Sequence, residues 1–418
     1  MPGVRRLLRT NRDFRLLWLG QIVSQLSDWF NYVALYALLF ELTGSATAVA
    51  TLMVVQVLPI ALVGPTAGVA VDRFDRRRIM IAADLARGVL ILGLLFVRTP
   101  SMAWLAYVIT GLTVAAAGFF EPARSSTVPM IVPREQLVAA NAVSTGTWSA
   151  MLAIGASLGG LVAAVFGRDA AFLLNSASFF TSAFFIWRMR IPPRSPHHRA
   201  EAGWRGLMDG VAYMRANRHV ARVAFIKGGW AVVGGALLLL AVFGNEIFRM
   251  GGSGDAGIGV LYGARGVGAA VGSLAVALVA RRAGGELRRW IGPSYIAAGL
   301  AYATLGFAPS IWIAALTVVV AHSFGSVLWV ASNVLLQLHV PDEFRGRVFA
   351  AELIGLALVQ ALCTYLTAFA LDTLDAPPRM LAAAVGAALL AQGLAVGDGS
   401  VFHRNPQVGD RPPGPVAP

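Results

Sequence analysis

Apolar stretches of roughly 20 residues recur along almost the whole chain, and no other feature restricts its fold so severely. At a rise of about 1.5 Å per residue, each is long enough to cross a hydrocarbon layer of about 30 Å as a helix. Lipid offers the backbone no hydrogen bonds, so a lone spanning segment must satisfy its own polar groups, and the α-helix does so. The stretches are 16–40, 48–71, 79–97, 103–120, 138–166 and 170–187, then 223–243, 257–280, 290–307, 311–336, 348–371 and 381–396. Charged residues make up 13% of the chain, against about 25% in an ordinary soluble domain. The expectation is an all-α integral membrane protein of about twelve transmembrane helices, with no room for a sizeable soluble domain.

The net charge of +13 would suggest a nucleic-acid partner in a soluble protein. Its placement argues otherwise. With a cytoplasmic amino terminus, the inner segments hold Arg5, Arg6, Arg9, Arg73, Arg76, Arg77, Arg78, Arg124, Arg134, the arginines between 188 and 222, Arg345 and Arg347. The opposite segments hold only Arg98, Arg168, Arg249 and Arg379. Such asymmetry fixes orientation, with both termini cytoplasmic, so the basic charge reads as topology and not as nucleic-acid binding. The arginine-rich, nearly lysine-free composition points to a bacterium with a GC-rich genome, hence to a multi-pass protein of a bacterial inner membrane.

The spans fall into two sets of six. Residues 1–187 form one half and 223–396 the other; 188–222 is a cytoplasmic linker and 397–418 a disordered cytoplasmic tail. Pro192, Pro193, Ser195 and Pro196 open the linker, and Trp204, Leu207, Met208, Val211 and Met214 then recur at helical spacing opposite Arg205, Asp209, Arg215 and Arg218. That pattern predicts an amphipathic helix on the membrane surface. Val132, Pro133 and Glu135 recur as Val340, Pro341 and Glu343, each after the fourth span of its half, and the arginines that follow Asp72 recur at the same offset as Arg281 and Arg282. The halves therefore read as a pseudo-repeat.

The junction of spans two and three runs Gly68, Val69, Ala70, Val71, Asp72, Arg73, Phe74, Asp75, Arg76, Arg77, Arg78. Gly68 lets another helix approach closely. Asp72, at the inner end of span two, is placed to meet the positive amino-terminal end of span eleven near Arg345 and Arg347, a latch across the two halves. The segment resembles the loop signature of the major facilitator superfamily, departing from it at Asp75, where glycine is usual. Leu42 to Thr47, Phe120 to Arg124 and Pro341 to Arg347 are similar to the drug-exporter branch that includes enterobactin and macrolide exporters, over roughly residues 10 to 395. The resemblance implies proton-linked alternating access between two six-helix halves. It implies gating roles for Gly68, Asp72, Arg73, Arg76, Arg77, Glu121 and Arg347.

Ionisable groups inside a span cost about 2.5–3.5 kcal/mol each, so each is a functional candidate. Asp28 lies near mid-depth of span one, and Gln21, Gln25, Asn31 and Tyr32 share or extend its face. A carboxylate at the centre of a polar stripe suits a transport pathway better than a plain interhelical hydrogen bond; Gln25, Asp28 and Asn31 are the coupling candidates. Arg265, deep in span eight, is a possible partner for Asp28 or for an anionic substrate group. Asp84 and Arg87 are spaced to pair with each other, Glu121 could meet Arg73, and Lys227 and Glu352 read as close enough to inner helix ends to reach headgroups. His322 is a weaker proton carrier. Gly155 and Gly159 permit tight helix contact, with Ala156 standing where antiporters of the family commonly carry proline.

No phosphate-cradling loop, metal-spaced Cys/His set or nucleophilic triad is found, so neither enzyme, cofactor nor metal is expected. The reading is a secondary active transporter, functional as a monomer, moving a small molecule against protons amid membrane lipid. The direction is export of small amphipathic or drug-like compounds. The alternatives are a lipid, lysolipid or solute importer of the same fold, and a membrane sensor that does not transport.

Overall fold

The computed structural model describes residues 7–191, 204–250, 254–282 and 287–397. The expected tail, the start of the linker and the side chain of Asp72 lie outside the described residues. The chain folds as α1 (Arg12–Thr43), α2 (Ala46–Val55), α3 (Leu58–Arg73), α4 (Arg76–Leu92), α5 (Ala103–Ile131), α6 (Leu137–Phe166) and α7 (Arg168–Trp187), then α8 (Trp204–Ala216). The second half follows with α9 (Arg218–Trp230), α10 (Val233–Val242), α11 (Asp255–Arg282), α12 (Ile291–Leu305), α13 (Ile311–His339), α14 (Asp342–Asp372) and α15 (Pro378–Val396). Every stretch read from hydropathy falls on a helix or a consecutive pair. Among the described residues, ten helical stretches are long and apolar enough to cross a membrane. The other two expected spans are α1, diluted by its polar stripe, and α12, only 15 residues long.

Local chemistry sets the breaks. The Asn11 side chain accepts a hydrogen bond from the Phe14 amide at the start of α1, and Gly44, at φ 61°, ends that helix in the left-handed region. Ser45 caps α2, Asp75 caps α4 and Ser310 caps α13. Span two splits because Pro59, in the first turn of α3, has no amide to continue α2. Several helices outrun their apolar stretches: α5 continues through Glu121 and Arg124 to Ile131, and α14 begins at Asp342. Hydropathy marks where lipid ends, which is not where the helix ends.

In the first half α1 packs against α6 and α7, α4 against α5 and α7, and α3 against α5. The second half repeats this: α10 packs on α14 and α15, α12 on α13 and α15, and α11 on α13. The halves meet chiefly along α6 with α11 and α2 with α14. The first seam needs glycine. A Cβ on Gly160 would stand 2.6 Å from the Asp255 carbonyl oxygen, and one on Gly266 would press directly on the Ala153 amide nitrogen.

Two apolar cores result. The larger spans both halves, joining Phe30–Phe40 of α1 and the α2 face to α10, α13 and Val348 of α14. The smaller, around Phe14, Met80, Phe120, Val128 and Ile186, contains only first-half residues and lies toward the arginine-rich face. The halves are therefore fused over one end of the bundle and parted at the other.

The linker helix α8 docks by a different edge from the expected stripe. Gly206 and Gly210 are buried, Gly210 directly against Arg347, and Tyr213 stacks on Phe344 at 4.6 Å, while Trp204 and Met208 stay exposed. Glycine spacing, not apolar spacing, sets this seam.

Candidate substrate cavity and gates

A cavity of about 620 Å³, walled by first-half residues, opens toward the arginine-rich face. Its lining comes from α1, α4, α5 and α6, running from Tyr32 and Asp28 at depth to Pro129 and Leu137 at the mouth. The stripe on α1 forms one wall through Gln21, Ser24, Gln25 and Asp28, joined by Trp29, Phe120 and Trp148. The Gln21 Nε2 donates to the Ser144 carbonyl at 3.3 Å, and Trp18 Nε1 donates to Thr147 Oγ1 at 2.7 Å, holding α1 against α6. Gln25 lines the cavity, and its buried Oε1 has no hydrogen-bond partner. Asp28 has no hydrogen bond or ion pair among the described residues. Asn31 is buried outside the cavity, also with an unpartnered Oδ1.

Arg265 is not the cation beside Asp28. It lies outside the cavity lining and stands over the rings of Trp29 and Tyr262, 5.8 and 5.9 Å from their centroids. Arg87, Glu121 and Arg124 are the charged side chains that share the cavity wall with Asp28. Arg87 lines the cavity, is bonded to Asp84 as its spacing suggested, and lies between the rings of Phe120 and Phe179 at 4.7 and 4.3 Å. Its proximity to Asp28 was missed because an i,i+3 pair looks self-contained. His322 Nε2 is hydrogen-bonded to the Tyr302 hydroxyl at 2.8 Å.

A second charged cluster corrects the sequence reading. Lys227 and Glu352 do not reach headgroups; their side chains are 6% and 3% exposed and pair at 2.8 Å. Lys227 Nζ also donates to Asn333 Oδ1 at 2.6 Å, and Ser332 Oγ donates to Glu352 Oε1 at 2.9 Å. Because α9 and α14 start outside the apolar stretch, both charges sit about nine or ten residues, roughly 14 Å, along parallel helices. At the offset of the internal repeat, Glu352, Asn333 and Trp329 occupy the places of Ser144, Ser125 and Glu121 in the cavity wall.

At the opposite face the halves are bolted together. The Asp372 carboxylate, at the end of α14, accepts from Ser45 Oγ at 2.6 Å and from the Ala46 and Thr47 amides at 3.0 and 2.8 Å, capping the amino terminus of α2. Arg168 reaches across to Asp255 at 3.1 Å while holding Glu41 at 2.6 Å. Tyr365 donates to Thr51 at 3.0 Å.

The gating candidates at the arginine-rich face are bonded differently. Arg76 donates to the Ser126 carbonyl at 2.8 Å, Arg77 to the carbonyls of Ile186 and Trp187, and Glu121 pairs with Arg124 at 2.8 Å, not with Arg73. Arg347 pairs with Asp209 of the linker helix at 3.2 Å. Gly68 lies in α3, half-buried, and Arg73 ends that helix, exposed.

Two six-helix halves bolted together at one face, with a cavity open toward the other, have the build of a membrane transporter. The chain belongs to the Major Facilitator Superfamily, whose family model matches residues 17–363. It is 25% identical to the uncharacterised MFS-type transporter YfiS of Bacillus subtilis, covering 82% of this chain and 83% of that one. It is 26% identical to the putative bacilysin exporter BacE of the same organism, over 89% and 91%. Macrolide efflux protein A of Streptococcus pyogenes is 28% identical over 49% of this chain and 52% of its own. In fold the chain is similar to the nucleoside transporter NupG, at TM-score 0.73 and 11% identity over 94% of this chain and 99% of that one.

Proposed function

We propose that the chain is a proton-coupled exporter of small amphipathic or drug-like molecules in a bacterial inner membrane, working as a monomer by alternating access with both termini cytoplasmic. The observation that carries this reading is Asp28, an unpartnered carboxylate deep in a cavity open to the arginine-rich face. On the arginine rule that face is cytoplasmic, so the structure is read as inward-facing. A molecule entering from the cytoplasm meets the aromatic surface of Trp29, Phe120 and Trp148 before the carboxylate. Substrate and proton compete for that one negative charge, and its proton occupancy changes with the side toward which the cavity opens. The efflux names of two relatives support the outward direction.

In the outward-facing state, Asp372 and Arg168 release their partners and the arginine-rich ends meet. Asp72 then closes on the amino terminus of α14 as Asp372 closes on that of α2, one carboxylate–helix latch at each end of the same pair of spans. Reconstituted protein is tested for accumulation of a compound panel under an imposed pH gradient, with and without an uncoupler. The wild type should accumulate a subset in an uncoupler-sensitive way. Asp28→Asn, at normal yield and thermal stability, should lose driven accumulation while retaining exchange. Normal accumulation and normal pH dependence in that variant would falsify the coupling role.

A further inference from the structure

A second concavity, of about 420 Å³, lies between α9, α14 and the linker helix, and the central cavity does not explain it. Its shaft is walled by Ala221, Ala224 and Phe225 of α9 and by Gly355, Leu356 and Val359 of α14. It faces lipid. Phe225 is 72% exposed, and the exposed apolar row Leu358, Leu362, Leu366 and Phe369 continues the same face of α14 up to the closed end of the bundle. The carboxylate of Glu352 is turned away toward Lys227 and Ser332, which leaves the shaft apolar.

The mouth has the opposite character. Arg215 of the linker helix lines it, and Arg218 and Arg222 stand seven and three residues before Phe225, on the same side of α9. All three are exposed and have no hydrogen bond or ion pair among the described residues. An apolar shaft at membrane depth beneath three free guanidinium groups is complementary to one kind of molecule: an acyl chain carrying an anionic phosphate headgroup.

We propose that this groove is a binding site for one anionic phospholipid of the leaflet at the arginine-rich face, its chain between α9 and α14 and its phosphate among Arg215, Arg218 and Arg222. Full-length protein in detergent is titrated with phosphatidylglycerol or phosphatidylcholine and followed by native mass spectrometry. One phosphatidylglycerol should bind in preference to phosphatidylcholine. Each basic residue near an anionic surface contributes about fivefold, so Arg215→Gln, Arg218→Gln and Arg222→Gln together should weaken phosphatidylglycerol roughly a hundredfold. Gly355→Leu tests the shaft independently. A Cβ there meets nothing within 4 Å, so the larger side chain fills the groove without disturbing the helix, and it should expel the lipid while leaving the fold intact. Equal binding of the two lipids by the wild type would overturn the proposal, as would retention of phosphatidylglycerol by Gly355→Leu.

Discussion

Equivalent places in the two halves hold opposite chemistry. In the first half the wall of α4, α5 and α6 presents Ser125, Ser144 and Glu121 to a cavity in which Asp28 has no partner. In the second half, Asn333, Glu352 and Trp329 stand at the repeat-related positions and close around Lys227, so that charge is consumed within the protein. Duplication supplied two similar walls; one stays open to solvent and ligand, and the other is tied shut. A buried pair with every polar atom engaged fastens three helices into one body. An unpaired carboxylate in a cavity is available to a proton or a cation.

Substitutions that exchange these characters probe the contrast. Asp28→Asn should have the largest functional effect, removing driven accumulation altogether, as measured by flux in proteoliposomes. Lys227→Met or Glu352→Gln alone leaves a buried charge unpaired and should cost about 3–5 kcal/mol of stability. The double variant should regain most of that loss and keep pH-driven transport. Thermal melts and flux on the same samples check this, and a double variant that is stable but uncoupled would move coupling into the second half.

The two ends of the bundle sharpen the comparison at smaller amplitude. Asp372→Asn weakens the cap on α2 by about 1 kcal/mol, since the site is largely exposed, which is roughly fivefold in the ratio of states. Cysteine accessibility at Thr51, in a Cys363→Ser background, should rise accordingly. Arg347→Ala and Asp72→Asn should each reduce transport less than Asp28→Asn does. If both act in one latch their effects should not add; full additivity would assign Arg347 to its observed partner Asp209 alone.

The membrane helices and their pseudo-repeat were legible in the sequence because lipid imposes a length and a polarity on every span. Depth was legible for Asp28, which lies twelve residues inside its apolar stretch, so a helix that starts four residues earlier still holds it near the middle. It was misread for Lys227 and Glu352, whose helices begin five or six residues earlier than hydropathy suggests. Pairing was the least legible feature. Which cation stands near Asp28 depends on the rotation of α4 and α11 about their axes, and a periodic pattern along one helix carries no record of its neighbour's rotation. The bolt at Asp372 was missed for the same reason, because its partners on α2 lie more than 320 residues away in the chain.

Competition between substrate and proton at Asp28 is read directly as proton release on ligand binding. Purified wild type, the Lys227→Met/Glu352→Gln double variant and Asp28→Asn are each mixed with a transported member of the compound panel in weakly buffered solution containing a pH indicator. The wild type and the double variant should release protons, and Asp28→Asn should release none at saturating ligand. Undiminished release by Asp28→Asn would contradict competition at that carboxylate.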